Sequence, residues 1–201
     1  MMSSVLSFAL LLMLTSIAAS PEKRSILETI QATMEQNQEA AIVRNSLKQD
    51  GWKGLVPLRS TRQDVERIYG NARDVAAGIF IYRAKYEQVD IVYSGPPCSS
   101  GFFGQLRVPE WTVLGITIFP LPEVTMSEIV SDVKRFRSWP DAELKGWISY
   151  SDDPTGVMIQ TANEDGVDHV RIISYLPPPA KRQALVCSVK LVHVDVGRSL
   201  T

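Results

Sequence analysis

The chain has only two histidines, His169 and His193, which limits the acid–base chemistry it can perform. His193 and Asp195 alternate along a predicted strand, so their side chains point to the same face. Because catalytic triads assemble across a fold, a distant serine could complete a hydrolase site with this pair. Exposed polar positions of a strand explain the spacing better, and no Gly-x-Ser-x-Gly or His-Glu-x-x-His motif is present. We therefore predict no catalytic residue, and a hydrolase using His193 and Asp195 stays as an alternative.

Carboxylates and one amide cluster in two short segments, where they could serve as metal ligands. They are Asp152, Asp153, Asn163, Glu164, Asp165 and Asp168. A Ca²⁺ site needs six or more oxygens converging from a defined loop. Pro154, Gly156 and Gly166 instead mark hairpin turns, in which Asp and Asn make local hydrogen bonds. We predict turns here, with no metal and no cofactor.

Two cysteines, Cys98 and Cys187, are the only thiols of the chain. Two cysteines far apart in sequence suit an oxidising compartment, where a bridge between them would close a long loop. Such a bridge would stabilise the fold by about 4 kcal/mol on chain-entropy grounds. We predict a Cys98–Cys187 disulfide; two separate thiols, or one reactive thiol, are the alternatives.

The segment GPPCSSGFFGQLRVPE is too rich in glycine and proline for regular structure, and it carries Phe102 and Phe103 side by side. Adjacent aromatic residues on a loop can insert into a partner's pocket, because aromatics dominate interface hot spots. Alternatively, one or both rings fold back onto the sheet edge. We predict a partner-binding site at Phe102 and Phe103. Sugar stacking stays open for the four tryptophans, which we expect to pack internally: Trp52, Trp111, Trp139 and Trp147.

The elements before this loop follow clear periodicities. Apolar residues recur at helical spacing over 25–44, which predicts a polar amphipathic helix. A capping box for a second helix is available in two registers, as Ser60 with Gln63 or as Thr61 with Asp64, and Gly70 ends this helix. Alternating patterns then predict three strands: Ile79–Ala84, Glu87–Ser94 and Thr112–Phe119.

The second half of the chain repeats this order. Thr125 and Glu128 form another capping box, and Ile129, Val133 and Phe136 form the buried stripe of a helix that Pro140 ends. Four strands are predicted after it: Lys145–Ser151, Gly156–Ala162, Val167–Tyr175 and Ala184–Val196. We therefore predict an α+β fold in which a capped helix packs on an antiparallel meander, either twice in tandem or as one fused sheet. The predicted units are 51–123 and 124–201, preceded by a helix or spacer over 20–50.

The first nineteen residues carry no charge and end in small residues, a pattern typical of a signal peptide. Cleavage after Ala18 fits best. The alternative, a membrane anchor, is disfavoured because the apolar run is shorter than the roughly 20 residues that span a bilayer. We predict an exported chain, periplasmic or extracellular, with no stable membrane span after the signal peptide is removed. The net charge of −1 and the pI of about 6.1 disfavour nucleic-acid binding.

One segment resembles a known group of proteins. It begins Trp52-x-Gly54-Leu55-Val56-Pro57-Leu58-x-Ser60-Thr61-Arg62-x-Asp64-Val65-Glu66-Arg67 and is similar to a run in uncharacterised exported bacterial proteins. More distantly, Thr61-x-x-Asp64-Val65 and Gly70 look like the helix entry of SmpA/OmlA-type envelope domains, whose fold also occurs in tandem in a β-lactamase inhibitor. The resemblance implies helices on one face of a short antiparallel sheet. It implies no activity, and this chain lacks the lipidated cysteine of the second group.

These observations favour an exported, non-enzymatic interaction module. Its partner would be an envelope or extracellular protein that binds the aromatic loop or adds a strand to an open sheet edge. Two alternatives from other classes stay open. One is the hydrolase described above, and the other is a carrier of an apolar small ligand, with the sheet cupped under the helices.

Overall fold

A computed structural model of the chain describes residues 21–46, 51–120 and 123–187. The predicted signal peptide, His193 and Asp195 lie outside these residues. The chain divides into two compact units, with the boundary between Glu39 and Ala40. Helix α1 spans Pro21–Ser46, as the helical spacing over 25–44 predicts. No helix within the described residues combines the length and the apolar character that crossing a membrane requires.

Helix α2 spans Arg62–Tyr69 and begins where the capping box predicts. The Thr61 backbone N–H donates to the Asp64 carboxylate (2.9 Å), and the Asp64 N–H donates to the Thr61 hydroxyl (3.4 Å). The Asp64 carboxylate also accepts a hydrogen bond from the Thr61 hydroxyl (2.9 Å), and the bonds that it accepts from the Thr61 N–H and hydroxyl hold the pKa of Asp64 below its usual value. The helix ends at Gly70, which takes a positive φ of 74° that glycine adopts without strain.

The strands of both halves form one antiparallel sheet, in agreement with the fused-sheet alternative. Their bounds are β1 Asp74–Ala76, β2 Ile79–Arg83, β3 Glu87–Tyr93, β4 Val113–Pro120, β5 Val124–Thr125, β6 Arg137–Pro140, β7 Trp147–Asp152, β8 Val157–Glu164 and β9 Val167–Tyr175. The order across the sheet is β1-β2-β3-β4-β9-β8-β7-β6, and β5 pairs with β9. The fold is therefore α+β, and the first half joins the second where β4 pairs with β9.

The two faces of the sheet carry different apolar clusters. In β3, residues 87, 89, 91 and 93 are buried while the residues between them are half-buried, as alternation along a strand requires. Ile91 faces the main core, which also contains Val65 of α2. Val92 points to the opposite face and packs with a smaller cluster around Leu106 and Leu114. The loop before β4 thus covers part of the face that α2 does not.

The prediction for the helix that follows Thr125 is wrong in length. Helix α3 begins after Thr125 and has the predicted capping box, but it spans only Met126–Ile129. Asp132 accepts a hydrogen bond from the Lys134 N–H (3.1 Å) and starts a separate 3₁₀ turn. β-Branched residues at 129 and 130 and this competing cap end the helix early. Val133 of the predicted buried stripe is exposed, whereas Phe136 is buried.

The predicted strand Ala184–Val196 is wrong at its described end. Helix α4 spans Pro179–Ala184 instead, with proline at its first position, where the missing N–H costs nothing. Beyond it, Val186 makes one isolated bridge with Leu106. The remaining predicted strands agree with the structure to within two residues at each end. The proposed division into 51–123 and 124–201 stays a prediction.

Candidate interaction site

A disulfide joins Cys98 to Cys187 across 89 residues of sequence, as the cysteine pair predicts. Hydrogen bonds reinforce this link on both sides. The Cys98 N–H donates to the Leu106 carbonyl (2.9 Å), and the Cys187 N–H donates to the Gln105 carbonyl (2.9 Å). The Arg107 N–H donates to a carbonyl of the same C-terminal segment, that of residue 185, at 2.7 Å. The loop between residues 98 and 106 is therefore closed at its base by covalent and backbone bonds.

The tip of this loop is a four-residue turn that carries both phenylalanines. The Gly104 N–H donates to the Gly101 carbonyl (3.0 Å), which places Phe102 and Phe103 at the two central positions. Gly104 has a φ of 86°, which glycine alone adopts freely. The two rings pack edge to face, with centroids 5.2 Å apart. The turn therefore sets the direction of each ring relative to the other.

The two rings have different surroundings. Phe103 packs over Gly115 of β4, where an added Cβ would lie 3.3 Å from the ring, and it joins the smaller cluster around Leu106 and Leu114. It lies on the face of the sheet, not at the edge considered in the sequence analysis. The Phe102 side chain is 71% exposed. Phe103 thus anchors the turn, and Phe102 is presented to solvent. Whether either binds a partner stays a prediction.

A second turn, Pro109–Thr112, presents Trp111 just before β4. The Pro109 carbonyl accepts hydrogen bonds from the hydroxyls of Ser94 (2.6 Å) and Thr112 (2.7 Å). The Ser94 hydroxyl also accepts from the Thr112 N–H (2.9 Å). Trp111 has a φ of 65°, in a region where bulky side chains are strained by about 1–3 kcal/mol. Sequence reasoning missed this site, because its hydrogen bonds join residues that are far apart in the chain.

Arg62 lies against two aromatic rings at this turn. Its guanidinium carbon is 4.9 Å from the Trp111 ring centroid and 5.3 Å from that of Phe80, which are cation–π distances. Its Nε donates to the Glu66 carboxylate (2.7 Å). Its backbone N–H donates to the Trp111 carbonyl (3.0 Å). The start of α2 and the Trp111 turn therefore hold each other in place.

A tyrosine pair packs close to this turn. The hydroxyls of Tyr82 and Tyr93 are 2.9 Å apart in the core, and the Tyr93 ring packs against that of Trp111, with centroids 6.1 Å apart. Burial raises the pKa of both phenols above their ordinary value. The phenols therefore stay neutral and serve as a hydrogen-bonded pair.

A buried acid–base network lies under the Trp52–Leu55 segment. Lys53 and Gly54 both have positive φ (49° and 84°), as a type I′ turn requires. The turn directs the Lys53 ammonium to Glu87 at the start of β3, 2.7 Å from Oε1, and the Tyr69 hydroxyl donates to the same oxygen (2.7 Å). Glu87 is 1% exposed, and its Oε2 is a buried atom without a hydrogen-bond partner among the described residues. The network ties this turn to the sheet.

Within the described residues, His169 and the two clusters of carboxylates lie apart from these sites. His169 is half-buried on β9 and faces Glu123, with 3.9 Å between Nδ1 and the carboxylate. The two clusters of carboxylates form turns: the Asp152 carbonyl accepts from the Gly156 N–H (2.9 Å), and Asp165–Gly166 have positive φ in the β8–β9 hairpin. Across 21–46, 51–120 and 123–187, no three His, Cys, Asp or Glu side chains are grouped so that they could hold a metal.

Comparison with protein-family models and with curated proteins gives no match. Among solved structures, the chain is similar to a DUF4309 family protein, YjgB, from Bacillus subtilis. The identity is 15%, the match covers 67% of this chain and 95% of that one, and the TM-score is 0.43. It is also similar to a cysteine-rich secretory protein, SAV1118, from Staphylococcus aureus, at 10% identity over 58% of this chain and 43% of that one, with a TM-score of 0.31. Likenesses this distant carry no functional argument.

Proposed function

We propose that this chain is an exported, non-enzymatic interaction module that binds a protein of the bacterial envelope or extracellular medium through Phe102. The leader pattern over residues 1–19 and the Cys98–Cys187 disulfide both support export, because disulfides persist in oxidising compartments. The resemblance of the segment from Trp52 to Arg67 to exported bacterial proteins supports the same compartment and forms part of the proposal.

The exposure of Phe102 on a closed loop is the observation that carries the proposal. Exposed aromatic side chains are enriched at interface hot spots, where they fill a pocket of the partner. Ordering a mobile loop on binding would cost free energy for each side chain immobilised. In the folded protein this loop is already ordered by the disulfide, the Gly101–Gly104 turn and the packing of Phe103, so binding does not have to order it. Phe102 is therefore pre-organised for contact.

The open edges of the sheet are weaker candidates for the same role. Edge strand β1 has only three residues, and edge strand β6 has four and ends in Pro140, which cannot donate to an added strand. Arg137 of β6 adds a charge at that edge. Short strands, proline and charge are the features that protect an edge from pairing. The aromatic loop is therefore preferred over strand addition.

The two alternative functions have less support. A carrier would need space between β2 and β9, but Tyr82, Ile173 and Tyr175 fill the core face of these strands and are at most 1% exposed. A hydrolase would use His193 and Asp195, which lie outside the described residues. It stays a prediction, and a loss of hydrolytic activity in His193→Ala would support it over the proposal.

The proposal is tested by comparing Phe102→Ala with Trp139→Ala in capture experiments from envelope extracts. Trp139 is also an exposed aromatic (39%), but it lies on edge strand β6. We expect the wild type and Trp139→Ala to retain the same discrete partner. Phe102→Ala should lose it, with a fall in affinity of at least about tenfold for a hot-spot residue.

Export is measured in the same cells by fractionation and by intact mass. A mature chain beginning at Ala19, found outside the cytoplasm and two mass units lighter before reduction than after it, is the expected result. Equal capture by Phe102→Ala and the wild type would overturn the binding role. A chain that keeps its leader and stays in the cytoplasm would overturn export.

A further inference from the structure

The backbone strain at Trp111 points to a second binding site, separate from Phe102. Glycine or asparagine normally occupies the third position of a turn when the φ angle there is positive. Here that residue is Trp111, with a φ of 65°. The hydrogen bonds that join Ser94, Pro109 and Thr112 fix the turn in this form. Strained positions that the surrounding structure over-determines are concentrated at ligand sites. A tryptophan that stays 41% exposed under such constraint is presented, not packed away.

A cleft opens beside this ring. Its walls are formed by the start of α2 and by the Trp111 turn, and it is lined by Thr61, Arg62, Gln63, Glu66, Glu110 and Trp111. Apart from the indole, these side chains are polar and carry hydroxyl, amide, carboxylate or guanidinium groups. An apolar body next to several hydrogen-bonding groups is the pattern of a site for a small polar ligand with one apolar face.

The charges of the cleft decide between ligand classes. Glu66 and Glu110 outnumber Arg62, so an anionic ligand would meet net repulsion. The capping box also occupies the N–H of Asp64, and the Trp111 carbonyl occupies that of Arg62, so the helix start offers these donors to no anion. A cationic ligand would compete with the Arg62 guanidinium, which already lies over the Trp111 and Phe80 rings.

We propose that this cleft binds a neutral saccharide. The C–H face of a sugar ring packs on the exposed part of the Trp111 indole, which Arg62, Phe80 and Tyr93 leave uncovered. The sugar hydroxyls hydrogen-bond to the side chains of Gln63 and Glu110. Among the residues that line the cleft, a polypeptide would find only one apolar side chain, that of Trp111, against which its own apolar side chains could pack. The site goes beyond the proposed protein contact and does not depend on it, because it uses none of the residues of the Phe102 turn.

The test is ligand-observed saturation-transfer NMR on the intact oxidised protein. The probes are three neutral hexasaccharides, of α-glucose, β-glucose and β-N-acetylglucosamine, with oligogalacturonate as the anionic comparison. We expect at least one neutral probe to bind with a dissociation constant of about 1 mM, the range of a small ligand on an open site. Trp111→Ala should weaken binding at least about tenfold, as for loss of a stacking platform.

Trp139→Ala is the matched control. Trp139 is 39% exposed and has Arg137 over its ring at 5.4 Å, but it lies in a regular strand and outside the cleft. The Trp139→Ala variant should bind the neutral saccharide with the same affinity as the wild type. If Trp111→Ala does not fold, Gln63→Ala and Glu110→Ala replace it, because both side chains are exposed, and each should weaken binding severalfold.

Four outcomes would overturn the proposal. They are no binding of any neutral probe to the wild type, tighter binding of the galacturonate, equal losses in Trp111→Ala and Trp139→Ala, and unchanged affinity in Gln63→Ala and Glu110→Ala. A peptide competing for the cleft in a Trp111-dependent way would assign it to a polypeptide and would likewise contradict a saccharide site.

Discussion

Two turns of the same irregular segment each present an aromatic ring, and they are rigid for different reasons. The Phe102 turn uses glycine at both ends and is held at its base by the Cys98–Cys187 disulfide. The Trp111 turn has no glycine and no covalent link. It is held by the Ser94 hydroxyl, which donates to the Pro109 carbonyl and accepts from the Thr112 N–H. The first turn adopts its shape without strain, whereas the second stores strain. A segment whose composition indicates a flexible loop is therefore fixed twice, by independent means.

This difference separates the expected roles of the two rings. Because Phe102 is unstrained and Phe103 carries the packing, the Phe102 side chain can be changed with little effect on folding. The Trp111 ring helps to hold its own turn in place, since it contacts Arg62, Phe80 and Tyr93. Changes around Trp111 should therefore alter stability and binding together. If the two turns are independent, a change that loosens one of them should leave the other in place.

Removing the disulfide should give the largest effect. The double variant Cys98→Ser/Cys187→Ser should lower the free energy of unfolding by about 4 kcal/mol, because the unfolded chain regains the freedom of a long loop. Urea denaturation measures this change. Hydrogen exchange should show faster exchange at Gly104 than in the wild type, while the Thr112 N–H keeps its protection. Equal acceleration at both amides would show that the two turns are one unit.

Ser94→Ala should affect the other turn. It removes a hydroxyl that accepts from the Thr112 N–H in a buried hydrogen bond and donates to the Pro109 carbonyl in a partly buried one, at a cost of about 2 kcal/mol. Ser99→Ala is the matched control, because the Ser99 hydroxyl makes a similar bond to the Pro96 carbonyl in the open. That variant should stay within about 0.5 kcal/mol of the wild type. A larger loss in Ser99→Ala than in Ser94→Ala would reverse the comparison.

Alkaline pH should loosen the Trp111 turn before the Phe102 turn. Burial raises the pKa of Tyr82 and Tyr93, so the folded state keeps protons that the unfolded state releases above pH about 10. Stability is therefore full below that pH and falls as pH rises, by up to about 1.4 kcal/mol per pH unit for each phenol. Tyr82→Phe should reduce this slope in urea titrations across alkaline pH. An unchanged slope would mean that other groups govern the loss.

Phe103→Leu should give a smaller effect on the Phe102 turn. Leucine keeps an apolar contact with Gly115 and with the cluster around Leu106 and Leu114 but fills less of the space over β4, at a cost of about 1 kcal/mol. Phe102→Leu should change the free energy of unfolding by less than about 0.5 kcal/mol, as at other exposed sites. Thermal unfolding of the two variants side by side measures the difference. Equal losses would show that both rings pack, and would remove the case for Phe102 as a presented residue.

The starts of α2 and α3 could be predicted from the sequence, whereas the end of α3 could not. Both capping boxes, at Thr61 and Thr125, begin a helix where they are expected. Helix α2 continues to Tyr69 because Gly70 is the next residue that breaks it. Helix α3 ends at Ile129 because Asp132 offers a competing cap, which the spacing of apolar residues does not reveal. A capping box thus specifies where a helix starts, and the residues after it decide its length.

The aromatic loop was predicted from composition, and its geometry was not. Gly101 and Gly104 flank the two phenylalanines and mark a turn, but which ring turns inward depends on Gly115 of β4, which lies outside the loop. The Trp111 cleft gave no local signal, because Arg62 and Trp111 meet only after α2 docks beside the sheet. The predicted strand does not begin at Ala184, because Ala184 ends helix α4, which starts at the last of three consecutive prolines, a residue type favoured at the first helical position.

Photo-crosslinking from position 102 tests the central claim most directly. A benzophenone amino acid replaces Phe102 in one strain and Trp139 in another, and both are irradiated in cells producing the exported protein. Pre-organised presentation predicts one discrete adduct from position 102, none of the same mass from position 139, and its loss in the Cys98→Ser/Cys187→Ser background. No adduct from position 102, or the same adduct from both positions, would contradict the claim that the disulfide-closed loop presents Phe102 to a partner.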